Sequence, residues 1–242
     1  APEKVMEQLK NIKINEKKQL VEYEKLRIKK VNTDKENKQE TKHHMKQTIK
    51  EAFEKNFKTF IIGGDQSIDK TVFETFNQTQ KNPLYIIFDS HADCKDEQAG
   101  NNKSWLRQTI ENNILTTNMI LISARSIDEA EAEYIKKKKL TIINNDLLRE
   151  EPNEVCDLLM ERARKSSGFI ISIDIDSIEP GNAPGTNNAE PGGITSRDMI
   201  YFVKRLSLLE NFCGASITEI NPEKDLNNIT AKLGAKLIAE MM

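Results

Sequence analysis

Two rhythms of apolar and polar residues divide this chain, and the change falls near residue 58. Beyond it, short unbroken apolar runs alternate with longer stretches in which apolar residues return at helical spacing. The runs predict strands over 59–62, 84–88, 119–123, 140–143, 169–173 and 213–217. The longer stretches predict helices over 68–79, 104–113, 127–138, 155–165, 196–209 and 227–241. A run that is almost wholly apolar, such as Phe169 to Ile173 with Ser172 its one polar residue, suits a strand covered on both faces of a parallel sheet. Strand and helix in alternation therefore predict an α/β fold of three layers, α/β/α, around a mostly parallel sheet.

Before residue 58 the pattern is different. Residues 2–44 are dominated by Lys, Glu, Asn and Gln, and Val5, Leu9, Ile12, Leu20 and Leu26 are spaced too irregularly for a heptad. They predict a solvated helix, with 26–31 as a weak strand candidate. Residues 41–57 predict a helix whose apolar face uses Met45, Ile49, Ala52 and Phe53. Basic and acidic charges are interleaved here, which suits an exposed helical surface better than a nucleic-acid arm. His43 and His44 are adjacent, so on a helix they point to different sides and read as surface residues. The expected organisation is a charged, mainly helical segment over 1–58, packed on or leading into an α/β domain over 59–242.

Composition narrows the function classes. A chain of 242 residues, 37% hydrophobic, can bury one substantial core. Its 36 basic and 38 acidic side chains leave a net charge of -2, so neither nucleic acid nor a membrane surface is indicated as a partner. Three widely separated cysteines, Cys94, Cys156 and Cys213, argue against a disulfide framework and fit a reducing compartment. Residues 1–10 lack the apolar core of a signal peptide, and no apolar run approaches the roughly 20 residues of a membrane span. The expected location is the cytoplasm.

Candidate chemistry falls at the carboxyl ends of the expected strands, where open α/β sheets bind ligands. The run 84–88 leads into Asp89-Ser90-His91-Ala92-Asp93, which offers metal ligands at i, i+2 and i+4. The run 169–173 leads into Asp174 and Asp176, which extended geometry would point to one side. A Pro- and Gly-rich segment follows, reading as a long ordered loop over the strand end. Four carboxylates gathered within a few ångströms repel one another unless cations accompany them, and two divalent ions would cancel their formal charge. Oxygen-rich ligation with one histidine favours Mn²⁺ or Mg²⁺ over zinc. Cys94 adjoins the cluster and reads as a packed residue; Trp105 and Leu106 read as helix-packing residues.

Four segments in order, Gly63-Gly64-Asp65-Gln66-Ser67, Asp89 to Asp93, Ser172-Ile173-Asp174-Ile175-Asp176 and Glu219-Ile220-Asn221-Pro222, resemble the motifs of the arginase/agmatinase ureohydrolases. Ala183-Pro184-Gly185-Thr186 and Glu190-Pro191-Gly192-Gly193 are similar to that family's loop after its second acidic motif. The resemblance runs from about residue 60 to 242. It implies an arginase-like α/β/α fold and a dinuclear manganese centre whose bridging hydroxide attacks a guanidinium carbon, releasing urea and an amine. Carried over by position, Asp89, Asp93 and Asp174 would hold one ion, and Asp89, His91, Asp174 and Asp176 the other. Glu219 would receive the guanidinium, and Asp89, Asp174 and Glu219 are the expected catalytic residues. Members are usually oligomers, so the resemblance also implies a homo-oligomer, trimer or hexamer.

Gln66, Lys103 and the segment Gly185-Thr186-Asn187-Asn188-Ala189 depart from the pattern. Gln66 stands where the family has a histidine, and an amide oxygen is a weaker manganese donor than imidazole, so one or two Mn²⁺ per chain are expected. Lys103 stands where the family places a proton-shuttling histidine. Two readings follow: a manganese-dependent hydrolase of arginine, agmatine or a similar guanidino compound, and a catalytically impaired relative acting as a binding or oligomer-partner protein with one metal or none. For substrate recognition, Lys95 would pair an α-carboxylate, Asp96 or Glu97 an amine, and Asn101 belongs to the same loop.

Overall fold

The computed structural model describes residues 1–31, 37–96 and 102–242. Six strands form one sheet: β1 (Thr59–Ile62), β2 (Pro83–Phe88), β3 (Met119–Ile122), β4 (Thr141–Ile143), β5 (Gly168–Asp174) and β6 (Phe212–Thr218). Their order is β1-β6-β5-β2-β3-β4, and every neighbouring pair is parallel. The helices are α1 (Pro2–Leu9), α2 (Lys38–Glu54), α3 (Ile68–Thr79), α4 (Trp105–Glu111), α5 (Glu129–Lys138), α6 (Asn145–Glu150), α7 (Pro152–Arg164), α8 (Ser196–Leu206) and α9 (Ile229–Met241).

Successive side chains of a strand point to opposite faces, and β2 shows how this makes two cores. Leu84, Ile86 and Phe88 join the cluster that holds Val5 of α1, Val155 of α7, Phe202 of α8 and Leu237 of α9. Tyr85 and Ile87 join the other, with Phe53 of α2, Phe73 of α3, Trp105 of α4 and Ile135 of α5. The sheet is thus the middle of three layers. All six residues of β2 and all seven of β5 are buried, as unbroken apolar runs require.

The order of strands fixes where a site can lie. From β2 the chain moves outward to β3 and β4; from β5 it moves the opposite way, to β6. The crevice between the carboxyl ends of β2 and β5 is therefore the topological switch point, the place where open α/β sheets take ligands.

The amino-terminal segment differs most from expectation. Rather than a solvated helix, it is one short helix followed by a mostly irregular strap closed by an antiparallel bridge between Ile14 and Leu20. Val5 and Leu9 are buried against α9, which explains their spacing: they form one face of α1 only. Residues 26–31 form no strand. In α2, Ile49 and Phe53 are buried as expected, while His43 and His44 are exposed. α6 is not visible in the pattern: Asn144 caps it by accepting from the Leu147 N–H, and a run of Asn and Asp reads as loop. α7 starts ahead of its apolar stripe because Pro152 occupies its first turn. Lys136, Lys137 and Lys138 occupy the last turn of α5, favourable against its dipole. Trp105 and Leu106 are buried packing residues, and Cys94 is buried. Among the described residues no helix is long and apolar enough to cross a membrane, and the three cysteines are unpaired.

Candidate metal centre

At the switch point β2 releases Asp89, Ser90 and His91, and β5 ends at Asp174 and turns through a 3-10 segment, Ile175–Ser177. Asp89, His91 and Asp176 each place one ligand atom within 4.8 Å of the others. His91 Nδ1 lies 3.2 Å from Asp176 Oδ2 and 3.6 Å from Asp89 Oδ1. Ser90 joins the two strands: its backbone N–H and its hydroxyl donate to Asp176 Oδ1 at 3.3 and 2.6 Å. The His91 N–H donates to Asp89 Oδ1 at 2.8 Å. Asp174 and Asp176 are not paired by extended geometry, as the sequence suggests. The Asp176 N–H donates to Asp174 Oδ1 at 2.9 Å, so a turn closed by one acid presents the next.

The electrostatics show how strongly this cluster favours positive charge. Asp89, Asp174 and Asp176 are each at most 3% exposed. Burial, joined by the charge of Asp176, pushes the Asp89 carboxyl up to about 7. Burial and the charges of Asp176, Asp89 and Glu219 hold Asp174 well above the carboxylate range. Hydrogen bonds that the imidazole donates to Asp176 and Asp89 in turn raise His91 to about 10. A divalent cation among these oxygens would relieve the mutual repulsion that raises the carboxyls. Carboxylate oxygens with one imidazole are a donor set suited to Mn²⁺ or Mg²⁺.

The other expected ligands lie beside this group. Asp93, in a left-handed conformation at φ 47°, has Oδ2 engaged by the Trp105 indole N–H at 2.8 Å. Burial and the charge of Asp89 place its carboxyl well above the usual range. Neither Asp93 nor Asp174 belongs to the group of atoms within 4.8 Å. Gln66 is buried after β1; its N–H donates to Glu219 Oε1 at 3.0 Å, its Nε2 to Ser172 Oγ at 3.4 Å, and its Oε1 is buried without a partner among the described residues. That unpartnered oxygen fits a cation-binding role. Glu219, after β6, donates its N–H to Gly64 O at 2.7 Å, and burial raises its carboxyl above the ordinary value. At Gly63 a Cβ would meet Ile68 Cδ1, so a side chain there would make the Ile68 side chain shift.

Of the expected substrate residues, Lys95 is paired with Asp128 at 3.4 Å and Asp96 with Arg107 at 3.2 Å. Glu97 and Asn101 lie outside the described residues. Lys103 is exposed in the turn Asn102–Ser104.

Two residues escape a motif search. Arg125 donates to the backbone oxygens of Asp176 at 2.9 Å, Glu190 at 2.6 Å and Pro191 at 3.1 Å, fastening the loop after β5 to the turn that presents Asp176. Its signal is its place just beyond β3, at the carboxyl edge of the sheet. Asp69 of α3 is fully buried and accepts from the Ser172 hydroxyl. Its signal is an acid on an apolar stripe, with Val72, Phe73 and Phe76 following at helical spacing.

A parallel sheet with carboxylates and an imidazole gathered at its switch point defines an α/β protein with a cation-binding type of centre. The chain belongs to the arginase family, whose model matches residues 1–242. It is 26% identical over 205 residues to the formimidoylglutamase of Bacillus subtilis (strain 168), covering 81% of this chain and 64% of that one. It is 26% identical over 208 residues to the arginase of Staphylococcus aureus (strain MRSA252), covering 78% and 69%. The match to the Bacillus subtilis relative thus spans less than two-thirds of that protein's length. The crystal structure of formimidoylglutamase from Bacillus subtilis subsp. subtilis str. 168 superposes with a TM-score of 0.92 over 99% of this chain and 78% of that one, at 24% identity, and bears on the fold.

Proposed function

We propose that this protein hydrolyses a C–N bond of a small guanidino compound, arginine, agmatine or a near relative, in a manganese-dependent reaction yielding urea and an amine. The observation that carries the reading is the grouping of Asp89, His91 and Asp176 at the switch point. Asp89, His91 and Asp176 would hold the ion or ions, with Asp174, Asp93 and Gln66 completing the set for one or two Mn²⁺ per chain. A divalent ion held there supplies Lewis acidity and lowers the pKa of bound water to a value useful at neutral pH. Asp89 and Asp174, the buried acids, fix the charge of the centre.

Glu219 receives the planar cationic head of the substrate, for which a carboxylate is the matched partner. Its Oε1 is already held by the Gln66 N–H, so the group is oriented before substrate arrives. With Lys103 exposed at the loop, the leaving amine takes its proton from solvent or from that side chain. Asn101 and Lys95 belong to the substrate's far end in this reading, and binding there would draw Lys95 away from Asp128. A formimidoyl group, the substrate moiety in one relative's name, shares with a guanidino group the planar carbon between two nitrogens. It is a variant of the same reaction class.

We place the protein in the cytoplasm, as a homo-oligomer, with residues 1–58 serving the 59–242 domain rather than standing as a separate unit. A second reading, a binding or oligomer-partner protein with impaired chemistry, is favoured by Gln66 and Lys103 in place of two family histidines. Mn²⁺-loaded protein given arginine, agmatine, other guanidines and formimidoylglutamate decides between them. Urea from a guanidine supports the proposal; amine release from the formimidoyl compound alone moves it to that substrate. No turnover of any compound at full Mn²⁺ occupancy leaves the second reading.

A further inference from the structure

We propose that Asp69, acting through Ser172, is a positioning residue that holds the side-chain amide of Gln66 with its oxygen available to a metal ion. The inference rests on the metal-binding reading above and concerns how this chain compensates for lacking an imidazole at position 66. Ser172 lies on β5 two residues before Asp174, hence on the same face of that strand. Its hydroxyl carries one proton, which it donates to Asp69 Oδ2. Only lone pairs of Ser172 Oγ then remain for Gln66, so the end of the amide that meets it must be the donor. Gln66 Nε2 does so at 3.4 Å. The reverse orientation would set two acceptors against each other. Gln66 Oε1 is consequently turned away from the hydroxyl, buried and unpartnered among the described residues, while the Gln66 N–H is anchored on Glu219. An amide is a usable ligand only through its oxygen, and a neighbour that fixes its orientation acts as outer-shell groups do for ligating histidines.

An isosteric exchange, Asp69→Asn, tests this. The new amide can donate to Ser172 Oγ, freeing the hydroxyl to donate to Gln66 Oε1 and turning that oxygen away from the ion. Mn²⁺ binding is measured by calorimetry on the wild type, Asp69→Asn, Gln66→Ala and the double variant. We expect Asp69→Asn to weaken the weaker Mn²⁺ equivalent by about 10- to 100-fold. Gln66→Ala should weaken it comparably, and the double variant should lose nothing more than Gln66→Ala alone. A loss of the same size when Asp69→Asn is introduced into the Gln66→Ala background would overturn the proposal, because the effect would then be one of charge. Wild-type binding by Asp69→Asn beside weakened binding by Gln66→Ala would also overturn it, leaving the metal centre intact. If the wild type binds no Mn²⁺, the functional reading itself fails.

Discussion

Burial raises the Asp69 carboxyl from an ordinary value of 3.8 to about 6. A folded-state pKa above the unfolded value means that the proton favours folding. The stabilising contribution is complete below pH 3.8 and is lost as pH rises through about 6. At about 1.4 kcal/mol per pH unit, the loss approaches roughly 3 kcal/mol. Removing the charge with Asp69→Asn should therefore raise stability in metal-free protein at about pH 7.5 relative to wild type, and the difference should shrink toward about pH 4. Urea unfolding at the two pH values measures it; an equal difference at both would show that Asp69 is not titrating. The acids after β2 and β5 are legible from sequence because a cluster of charge at the end of an apolar run is costly to fold unless it binds something. Asp69 is hidden because a single acid in an amphipathic helix ordinarily faces water. Its stripe position alone betrays it.

Elements show the same division. The inner strands are readable because burial on both faces leaves few polar positions, the half-buried edge strands β1 and β4 because they are short and mostly apolar, and α3 falls on its expected residues because its apolar stripe is regular. α6 and the strap before α2 are not, since caps and irregular backbone are specified by polar residues that also populate loops. α1 shows how charge misleads: two apolar residues, fully buried, are enough to dock a helix otherwise rich in Lys, Glu and Gln. Leu9→Ala should destabilise the protein by about 2–5 kcal/mol, as truncations in a packed core do. A change within about 0.5 kcal/mol by denaturant unfolding would instead mark α1 as peripheral.

At the scale of the molecule, strand order is what periodicity cannot reveal. Each strand's neighbours are set by long-range packing, and the switch point exists only once β5 has been inserted between β2 and β6. The motifs nonetheless anticipate that the segments after β2 and β5 meet, because separated acids make chemical sense only together. A centre that binds cations in the folded state alone adds stability by mass action. Mn²⁺ at about a hundredfold excess over its Kd should contribute about 2.7 kcal/mol, raising Tm by about 5–10 °C for a chain of this size. EDTA should reverse the rise, and Asp176→Ala should abolish it; a wild-type Tm indifferent to Mn²⁺ would contradict the assignment.

Glu219 sits at φ 61°, a conformation that any side chain beyond glycine or asparagine resists. The carboxylate proposed above to receive the substrate thus rides on a peptide bent against its own preference, and relaxing that bend and keeping the acid are mutually exclusive choices. Replacement by glycine should leave the protein about 1–2 kcal/mol more stable than replacement by alanine, since both discard the acid and only one frees the torsion. Equal unfolding midpoints for the two would show the bend to be cost-free. A trade-off of this kind sets a ceiling on how far stability and turnover can be improved together at this corner of the sheet.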